Sequence, residues 1–171
     1  MIVTVAGSIA SGKSTLARKL ADRLGFKHVS AGEIMRSLAL ESGVTLLEYS
    51  KYAEEHPEVD KLIDARQKEL SSEGDCVVDG RISAYFIDAD FKVYLTAPME
   101  VRARRVSGRD KAKDPVGDIL AREESECKRY KEIYGIDVSD LSVYDMILNT
   151  GKFGVEEMVD VVQTAVEKLR K

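Results

Sequence analysis

A loop of small residues near the start of the chain carries groups that could hold a phosphate. The stretch GSIASGKST, residues 7–15, fits the pattern G-x-x-x-x-G-K-[ST] and follows the apolar run 2–6. Small residues let the backbone curl so that successive N–H groups point at one anion. The sequence therefore predicts a site for a nucleoside triphosphate, whose binding residues are Gly7, Ser8, Ile9, Ala10, Ser11, Gly12, Lys13, Ser14 and Thr15.

Two side chains of this loop have distinct expected roles. Lys13 would reach the β- and γ-phosphates, and the hydroxyl of Ser14 would bind Mg²⁺. Leucines spaced by four residues predict a helix over 13–24, and its N-terminus adds a partial positive charge at the same place. An accidental match in a turn rich in glycine and serine is the alternative. The strand before the loop and the helix after it favour phosphate binding.

Two rows of charged residues, each on one face of a predicted helix, follow later in the chain. The rows are Arg102, Arg105 and Arg109 (i, i+3, i+7) and Arg122, Glu126 and Arg129 (i, i+4, i+7). Solvated helix surfaces often have such rows, but both of these flank one polar stretch, 107–118. We therefore predict that 107–118 forms a lid whose closure brings arginines of these rows to the transferred phosphoryl group.

The segment VVDGR, residues 77–81, ends a predicted strand, where an open parallel sheet has its ligand crevice. Asp79 is placed to act on Mg²⁺ through water or from just outside its ligand sphere. Gly80 and Arg81 are placed to hold the phosphate of an acceptor. A plain turn at the end of a strand is the alternative.

The segment SAGEIMR, residues 30–36, follows another predicted strand. Ser30 is placed to cap a helix, and Arg36 to bind a second anion one turn later. A hydroxyl acceptor needs a base to take its proton, whereas a phosphate acceptor needs alignment and charge neutralisation. Because the candidate site residues include many arginines, we predict that the acceptor is a monophosphate.

Strand and helix patterns alternate along the chain, which predicts an α/β fold: a three-layer αβα P-loop NTPase with a five-stranded parallel sheet. The predicted strands are 2–6, 27–29, 76–78, 91–95 and 146–148, and the predicted helices are 13–24, 32–42, 45–55, 57–72, 98–107, 116–133 and 154–170. Three predicted helices lie between two neighbouring strands, which is more than a simple crossover connection needs. We therefore predict one domain with a core (1–30, 75–106 and 119–171), a helical monophosphate-binding insertion (31–74) and the lid (107–118).

Composition narrows the set of partners. The 171 residues carry a formal net charge of −4, and the insertion carries ten acids against five bases, so no nucleic acid is expected as a partner. Two cysteines far apart in the sequence indicate free thiols and a cytoplasmic location, and the chain has no apolar run long enough for a membrane. His28 and His56 have no metal-ligand spacing and are expected to be exposed bystanders.

These segments together resemble the nucleoside-monophosphate kinases, and most closely the short cytidylate kinases typical of archaea. The likeness covers essentially the whole chain, and its segments are GSIASGKST, SAGEIMR, VVDGR, APMEVRARRVSGRD, REESECKRY, IYGID and LNTGKFGVEEMVDVV. It implies transfer of the γ-phosphate of ATP, with Mg²⁺, to CMP or dCMP.

The same resemblance implies roles for single residues. The catalytic residues would be Lys13 and four arginines that serve the transferred and donor phosphates: Arg102, Arg109, Arg122 and Arg129. Arg36 and Arg81 would clamp the acceptor phosphate, and Glu126 would orient an arginine or contact the sugar of the acceptor. The turn 149–153 would lie against the adenine through the cofactor-binding residues Asn149, Lys152 and Phe153.

One part of the pattern departs from the larger bacterial cytidylate kinases. They have an aspartate that contacts cytosine where this chain has Ile82, and a serine where it has Ala31. Asp60, Asp64 and Gln67 share one face of a predicted helix and could reach the exocyclic amine of cytosine. A solvated helix surface is the alternative.

The sequence leaves other functions open. The chain could phosphorylate AMP, UMP or a hydroxyl acceptor such as shikimate. A GTPase-like switch would need Asn-Lys-x-Asp, which the sequence lacks, and a kinase of nucleic-acid ends is disfavoured by the acidic insertion. We expect a monomer that acts on small nucleotides.

Overall fold

The computed structural model describes residues 1–110 and 113–170, apart from the side chains of residues 46, 47, 50, 109 and 110. Within these ranges five strands form one parallel sheet in the order β2-β3-β1-β4-β5. The strands are β1 (Ile2–Gly7), β2 (Lys27–Ser30), β3 (Cys76–Asp79), β4 (Phe91–Thr96) and β5 (Met146–Asn149). All five predicted strands are confirmed.

Each strand ends one residue later than the sequence predicts. The predicted bounds stop at the last apolar residue, but the last residues of the strands are Gly7, Ser30, Asp79, Thr96 and Asn149. These residues lie at the carboxyl edge of the sheet, where the ligand crevice of an open parallel sheet is found. The strand ends are therefore polar or small because they face the crevice rather than the core.

Eight helices are seen within the described ranges. They are α1 (Lys13–Leu24), α2 (Ala31–Glu41), α3 (Leu46–Glu55), α4 (Pro57–Ser71), α5 (Ser83–Phe86), α6 (Met99–Asp110), α7 (Pro115–Tyr134) and α8 (Val155–Leu169). On one face of the sheet, Leu16 of α1 and Val159 of α8 pack against Val93. On the other face, Val78 packs with Ile87 and with Leu70 of α4. The arrangement is the predicted three-layer αβα fold.

Helices α2, α3 and α4 connect the neighbouring strands β2 and β3 and have a small core of their own. Ala39, Ala53 and Ile63, one from each helix, belong to a buried apolar cluster separate from those on the sheet. Pro57 begins α4, because its fixed φ suits the first turn and its missing N–H is not needed there. Residues 31–74 are thus a helical excursion supported by its own packing.

The segment between α6 and α7 contains more helix than the sequence indicates. Helix α6 continues through Gly108 to Asp110, past the predicted end at 107, and α7 already begins at Pro115. Buried contacts explain the extension, because Val106 packs against Ile9 of the phosphate loop and outweighs the small helix penalty of a glycine. The predicted lid, 107–118, includes positions outside the described residues.

Among the helices of the described ranges, none is both long enough and apolar enough to cross a membrane.

Candidate active site

The phosphate loop, residues 7–15, owes its shape to two glycines. A Cβ on Gly7 would lie 2.3 Å from the carbonyl oxygen of Leu95 on β4, so a side chain is excluded there. Gly12 has a φ of 95°, in the left-handed region that favours glycine, directly before α1. Both glycines of the sequence pattern are therefore required by the backbone.

Arg105 and Thr150 brace this loop, and neither is among the site residues predicted from the sequence. Thr150 is buried and donates a hydrogen bond from Oγ1 to the carbonyl oxygen of Ser11 at 2.7 Å. Arg105 donates to the carbonyl oxygen of Ala10 at 3.1 Å and to Oγ1 of Thr150 at 2.9 Å. The turn 149–153 is thereby tied to the loop. Bonds to main-chain carbonyls follow no sequence spacing, and the position of Arg105 in the first arginine row was the available signal.

Arg102 reaches the same loop through an acid. Its guanidinium pairs with Glu123 at 2.6 Å, and the same carboxylate oxygen accepts a hydrogen bond from the N–H of Ile9 at 3.2 Å. Arg102 is only 9 % exposed, which excludes a solvated helix surface for this residue. The structure therefore brings Arg102 and Arg105 of the first arginine row to the phosphate loop.

A cavity of about 370 Å³ opens beside the loop on the side of α1 and α8. Its lining residues are Ala10, Gly12, Lys13, Ser14, Thr15, Arg105, Val155 and Met158. The cavity combines loop backbone, two cations and an apolar wall, which suits a phosphate chain with an apolar ring system. The side chains of Asn149, Lys152 and Phe153 are exposed, and Asn149 accepts a hydrogen bond from the N–H of Gly151 at 2.9 Å.

Asp79, at the end of β3, is buried and accepts several hydrogen bonds. Ser30 donates from Oγ at 2.8 Å, and Nε2 of His28 lies 3.3 Å away. Burial alone would raise the pKa of Asp79, but the hydrogen bonds from His28, Ser30 and Ser14 hold it below its ordinary value. The carboxylate is therefore charged at neutral pH. The expectation that His28 is an exposed bystander is wrong, because pairing with β3 brings its side chain to Asp79.

Lys13 lies at the meeting point of the loop and the crevice. Removal of its ammonium group from water and the nearby charge of Arg81 lower its pKa to about 7. Glu126 and Asp79 act in the opposite direction, and Arg122 is close enough to add to the lowering. Four of the predicted residues, two at the end of β3 and two on α7, therefore lie near the phosphate-loop lysine.

Arg81 connects the loop with α7. It donates a hydrogen bond to the carbonyl oxygen of Gly7, and its Nε lies 2.8 Å from Oε2 of Glu126. A cavity of about 210 Å³ adjoins this pair, and its apolar wall includes Tyr94 and Tyr130. Arg81 thus stands between the phosphate loop and open space under α7.

The row Asp60, Asp64 and Gln67 on α4 is not a solvated surface. Asp60 pairs with Arg129 of α7, Nε to Oδ2, at 3.0 Å, and Asp64 accepts a hydrogen bond from Tyr134. Gln67 is 1 % exposed and donates to the carbonyl oxygen of Asp79 at 2.9 Å. The helices α4 and α7 therefore face each other across these pairs.

The remaining predicted residues are less enclosed. The side chains of Arg36 on α2 and of Arg122 on α7 are both exposed. Gly80 approaches Gln67, whose amide would lie 3.2 Å from a Cβ at position 80. Arg109 belongs to α6, but its side chain lies outside the described residues.

Known proteins resemble this chain along its length. A family model described as "AAA domain" matches residues 3–131. The cytidylate kinase of Methanothermobacter thermautotrophicus is 48% identical over 160 residues, 91% of this chain and 99% of that protein. The cytidylate kinase of Methanocaldococcus jannaschii is 42% identical over 178 residues, covering 100% of both chains. Among solved structures, a shikimate kinase from Aquifex aeolicus has the same fold, with a TM-score of 0.64 at 19% identity, covering 98% of this chain and 96% of that one.

Proposed function

The chain belongs to the cytidylate kinase family and is a nucleoside-monophosphate kinase, and we propose that it transfers the γ-phosphoryl group of ATP, bound with Mg²⁺, to CMP or dCMP. The products are ADP and the cytidine diphosphate. The observation that carries the assignment of the site is the position of Arg81. It donates a hydrogen bond to the carbonyl oxygen of Gly7 in the phosphate loop, and its Nε lies 2.8 Å from Oε2 of Glu126 on α7.

ATP would occupy the cavity beside the phosphate loop. The backbone N–H groups of residues 7–15 and the N-terminus of α1 favour the triphosphate, and Lys13 would contact its β- and γ-phosphates. Arg105 lines this cavity, and the braced turn 149–153 lies next to it, which supports binding of the adenosine part there through Asn149, Lys152 and Phe153.

Ser14 and Asp79 would hold the Mg²⁺ of the ATP complex. A hydroxyl and a charged carboxylate are oxygen ligands of the kind that Mg²⁺ prefers, and Mg²⁺ usually takes one or two protein oxygens beside phosphates and water. Ser14 lies close enough to Asp79 to lower the pKa of that carboxyl group, which supports a shared site. When bound, the ion neutralises charge on the transferred phosphoryl group.

The acceptor monophosphate would lie in the crevice between α4 and α7. Arg81 and Arg36 would bind its phosphate with help from Gly80 and Ser30, and Glu126 would contact its sugar. Arg81 is held by Glu126 in the structure, so the phosphate would take over a guanidinium that a carboxylate already orients.

The reaction needs charge stabilisation more than proton transfer. The acceptor is already an anion, so alignment with the γ-phosphate and neutralisation of the developing charge are the main requirements. Arg102, Arg109, Arg122 and Arg129 would supply that charge from α6 and α7, and a lid over 107–118 would exclude water during transfer.

A panel of acceptors tests the function directly. ADP formation from ATP and Mg²⁺ is measured with CMP, dCMP, UMP, AMP and shikimate at equal concentrations. We expect CMP or dCMP to have the highest kcat/KM. Equal or better turnover of AMP or UMP would refute the cytidylate assignment, and preferred turnover of shikimate would assign a hydroxyl acceptor.

A further inference from the structure

The imidazole of His28 on β2 contacts the carboxylate of Asp79, and the proposed transfer does not itself use this contact. Nε2 of His28 lies 3.3 Å from Oδ2 of Asp79, and the side chain of His28 is only 13 % exposed. Because Asp79 is charged at neutral pH, it can only accept, so Nε2 of His28 is the donor. His28 is therefore a largely buried donor to a residue that we assign to the Mg²⁺ site.

Two donors from one strand hold the two oxygens of Asp79. Ser30 lies opposite Asp79 in the pairing of β2 with β3 and donates from Oγ to Oδ1 at 2.8 Å, while His28 meets Oδ2. His28 and Ser30 are two residues apart on β2, so their side chains project from the same face of the sheet. Asp79 is buried, so the loss of either donor would leave an oxygen with no bulk water to replace it. The two donors together fix the orientation of the carboxylate.

The strand pairing sets this carboxylate beside the phosphate loop. Parallel pairing of β3 with β1 puts Asp79 opposite Val5, two residues before Gly7. The N–H of Gly80 donates to the carbonyl oxygen of Val5 at 3.3 Å, so the end of β3 is tied to the strand from which the loop departs. Ser14, in the first turn of α1, lies close enough to lower the pKa of Asp79. The orientation of Asp79 therefore decides whether its carboxylate points toward the proposed Mg²⁺ site.

We propose, on the basis of the proposed transfer from Mg²⁺-bound ATP, that His28 is a positioning residue, whose hydrogen bond to Oδ2 orients the carboxylate of Asp79 toward the Mg²⁺ site. His28 itself would touch neither the ion nor the nucleotide. Carboxylates that bind metal ions are in turn hydrogen-bonded, and the loss of such a partner typically lowers metal affinity about 10–100-fold. Both donors to Asp79 stand on a strand, which holds side chains more precisely than a loop does.

A purely structural role for His28 is the alternative, because any donor to a buried carboxylate stabilises the fold. The two roles predict different effects of Mg²⁺. A structural contact changes the stability of the protein and leaves the gain in nucleotide affinity that Mg²⁺ gives unchanged. A positioning contact, when it is lost, lowers that gain even in fully folded protein.

The test measures the Kd of a non-hydrolysable ATP analogue by titration calorimetry, once with Mg²⁺ and once with a chelator, and takes the ratio of the two values as the gain from Mg²⁺. His28→Leu removes the donor, whereas His28→Gln keeps an amide N–H in its place. We expect His28→Leu to lose most of the gain and His28→Gln to retain most of it. In steady-state kinetics, the Mg²⁺ concentration for half-maximal turnover should rise about tenfold in His28→Leu alone.

His56→Leu is the matched control. His56 also pairs with a carboxylate, that of Glu58 at 2.6 Å, but its side chain is 38 % exposed and it lies between α3 and α4. Its gain from Mg²⁺ should equal that of the wild type.

The ratio of two Kd values refers to folded protein only, so a loss of stability in a variant leaves the test valid. An unchanged gain in His28→Leu would overturn the proposal, and so would an equal loss in His28→Gln, which would separate the effect from the hydrogen bond. A wild type that binds the analogue equally well with and without Mg²⁺ would instead overturn the proposed Mg²⁺ site, and the role of His28 with it.

Discussion

The two sides of the site are built in different ways. On the ATP side, the phosphate loop is fixed by two glycines and by hydrogen bonds to its carbonyl groups from Thr150 and Arg105. On the acceptor side, α4 and α7 meet through side-chain pairs such as Arg129 with Asp60. One side is set by the main chain, and the other by carboxylates and guanidinium groups from distant helices.

This difference has a physical consequence for binding. Main-chain N–H groups and buried braces cost no rearrangement when a triphosphate arrives, so the ATP side is preorganised. An ion pair such as Arg81 with Glu126 must exchange its carboxylate for the phosphate of the acceptor. We therefore expect changes on the ATP side to act on ATP alone, and changes in the ion pairs to act on the acceptor.

Lys13→Ala should have the largest effect, because Lys13 is the group that both sides share. We expect kcat to fall on the order of 10³-fold, as for the loss of a group that stabilises charge in the transition state. Steady-state kinetics with saturating ATP and CMP measure the effect. Lys128→Ala, a change at an exposed lysine of α7, should retain the wild-type rate. A fall in kcat of less than tenfold for Lys13→Ala would show that the phosphate loop does not take part in phosphoryl transfer.

Arg81→Ala should weaken the acceptor side selectively. A hydrogen bond to a charged group contributes about 1.5–3 kcal/mol, so we expect KM for CMP to rise about 10–100-fold. KM for ATP should rise by less than KM for CMP, because Arg81 gives the phosphate loop a single hydrogen bond, to the carbonyl oxygen of Gly7. Arg66→Ala, an exposed arginine of α4, is the control and should leave both values unchanged. An unchanged KM for CMP in Arg81→Ala would place the acceptor phosphate elsewhere.

Thr150→Val should weaken the ATP side selectively, and its effect should be smaller than that of Arg81→Ala on the acceptor side. The change keeps the shape but removes two hydrogen bonds, to Ser11 and from Arg105. We expect the free energy of unfolding to fall by about 1–3 kcal/mol and KM for ATP to rise severalfold. Urea denaturation and kinetics measure these, with Thr164→Val on the exposed face of α8 as the control. A matching rise in KM for CMP would show that the two sides are not separable.

The smallest expected effect is the uptake of a proton by the protein when ATP binds. The pKa of Lys13 is lowered to about 7 in the empty site, so at pH 8 the amine is mostly neutral. A triphosphate favours the charged form, so binding should take up close to one proton, and affinity should fall as pH rises above 7. Titration calorimetry in buffers of different ionisation enthalpy measures the uptake. Lys13→Arg cannot lose its proton and should show none, and equal uptake in both proteins would contradict the assignment.

The same contrast explains which parts of the molecule the sequence predicts. The phosphate loop and the strands follow from contiguous patterns, so they are found with errors of one residue. Helix α5 spans only Ser83–Phe86, which is too short for a periodic pattern. Thr150 acts through a carbonyl group far away in the sequence, and no spacing encodes that contact. Asp60 is buried because α7 packs against it, and the sequence does not show where α7 lies. The sequence alone therefore could not distinguish the row of Asp60, Asp64 and Gln67 from a solvent-exposed helix surface.

A crystal structure with CMP and a non-hydrolysable ATP analogue tests the central claim most directly. We predict that the guanidinium of Arg81 leaves Glu126 for the phosphate of CMP, while the hydrogen bonds of Thr150 and Arg105 to the phosphate loop stay in place. A complex in which CMP binds while Arg81 still holds Glu126 and the braces of the loop have rearranged would contradict it.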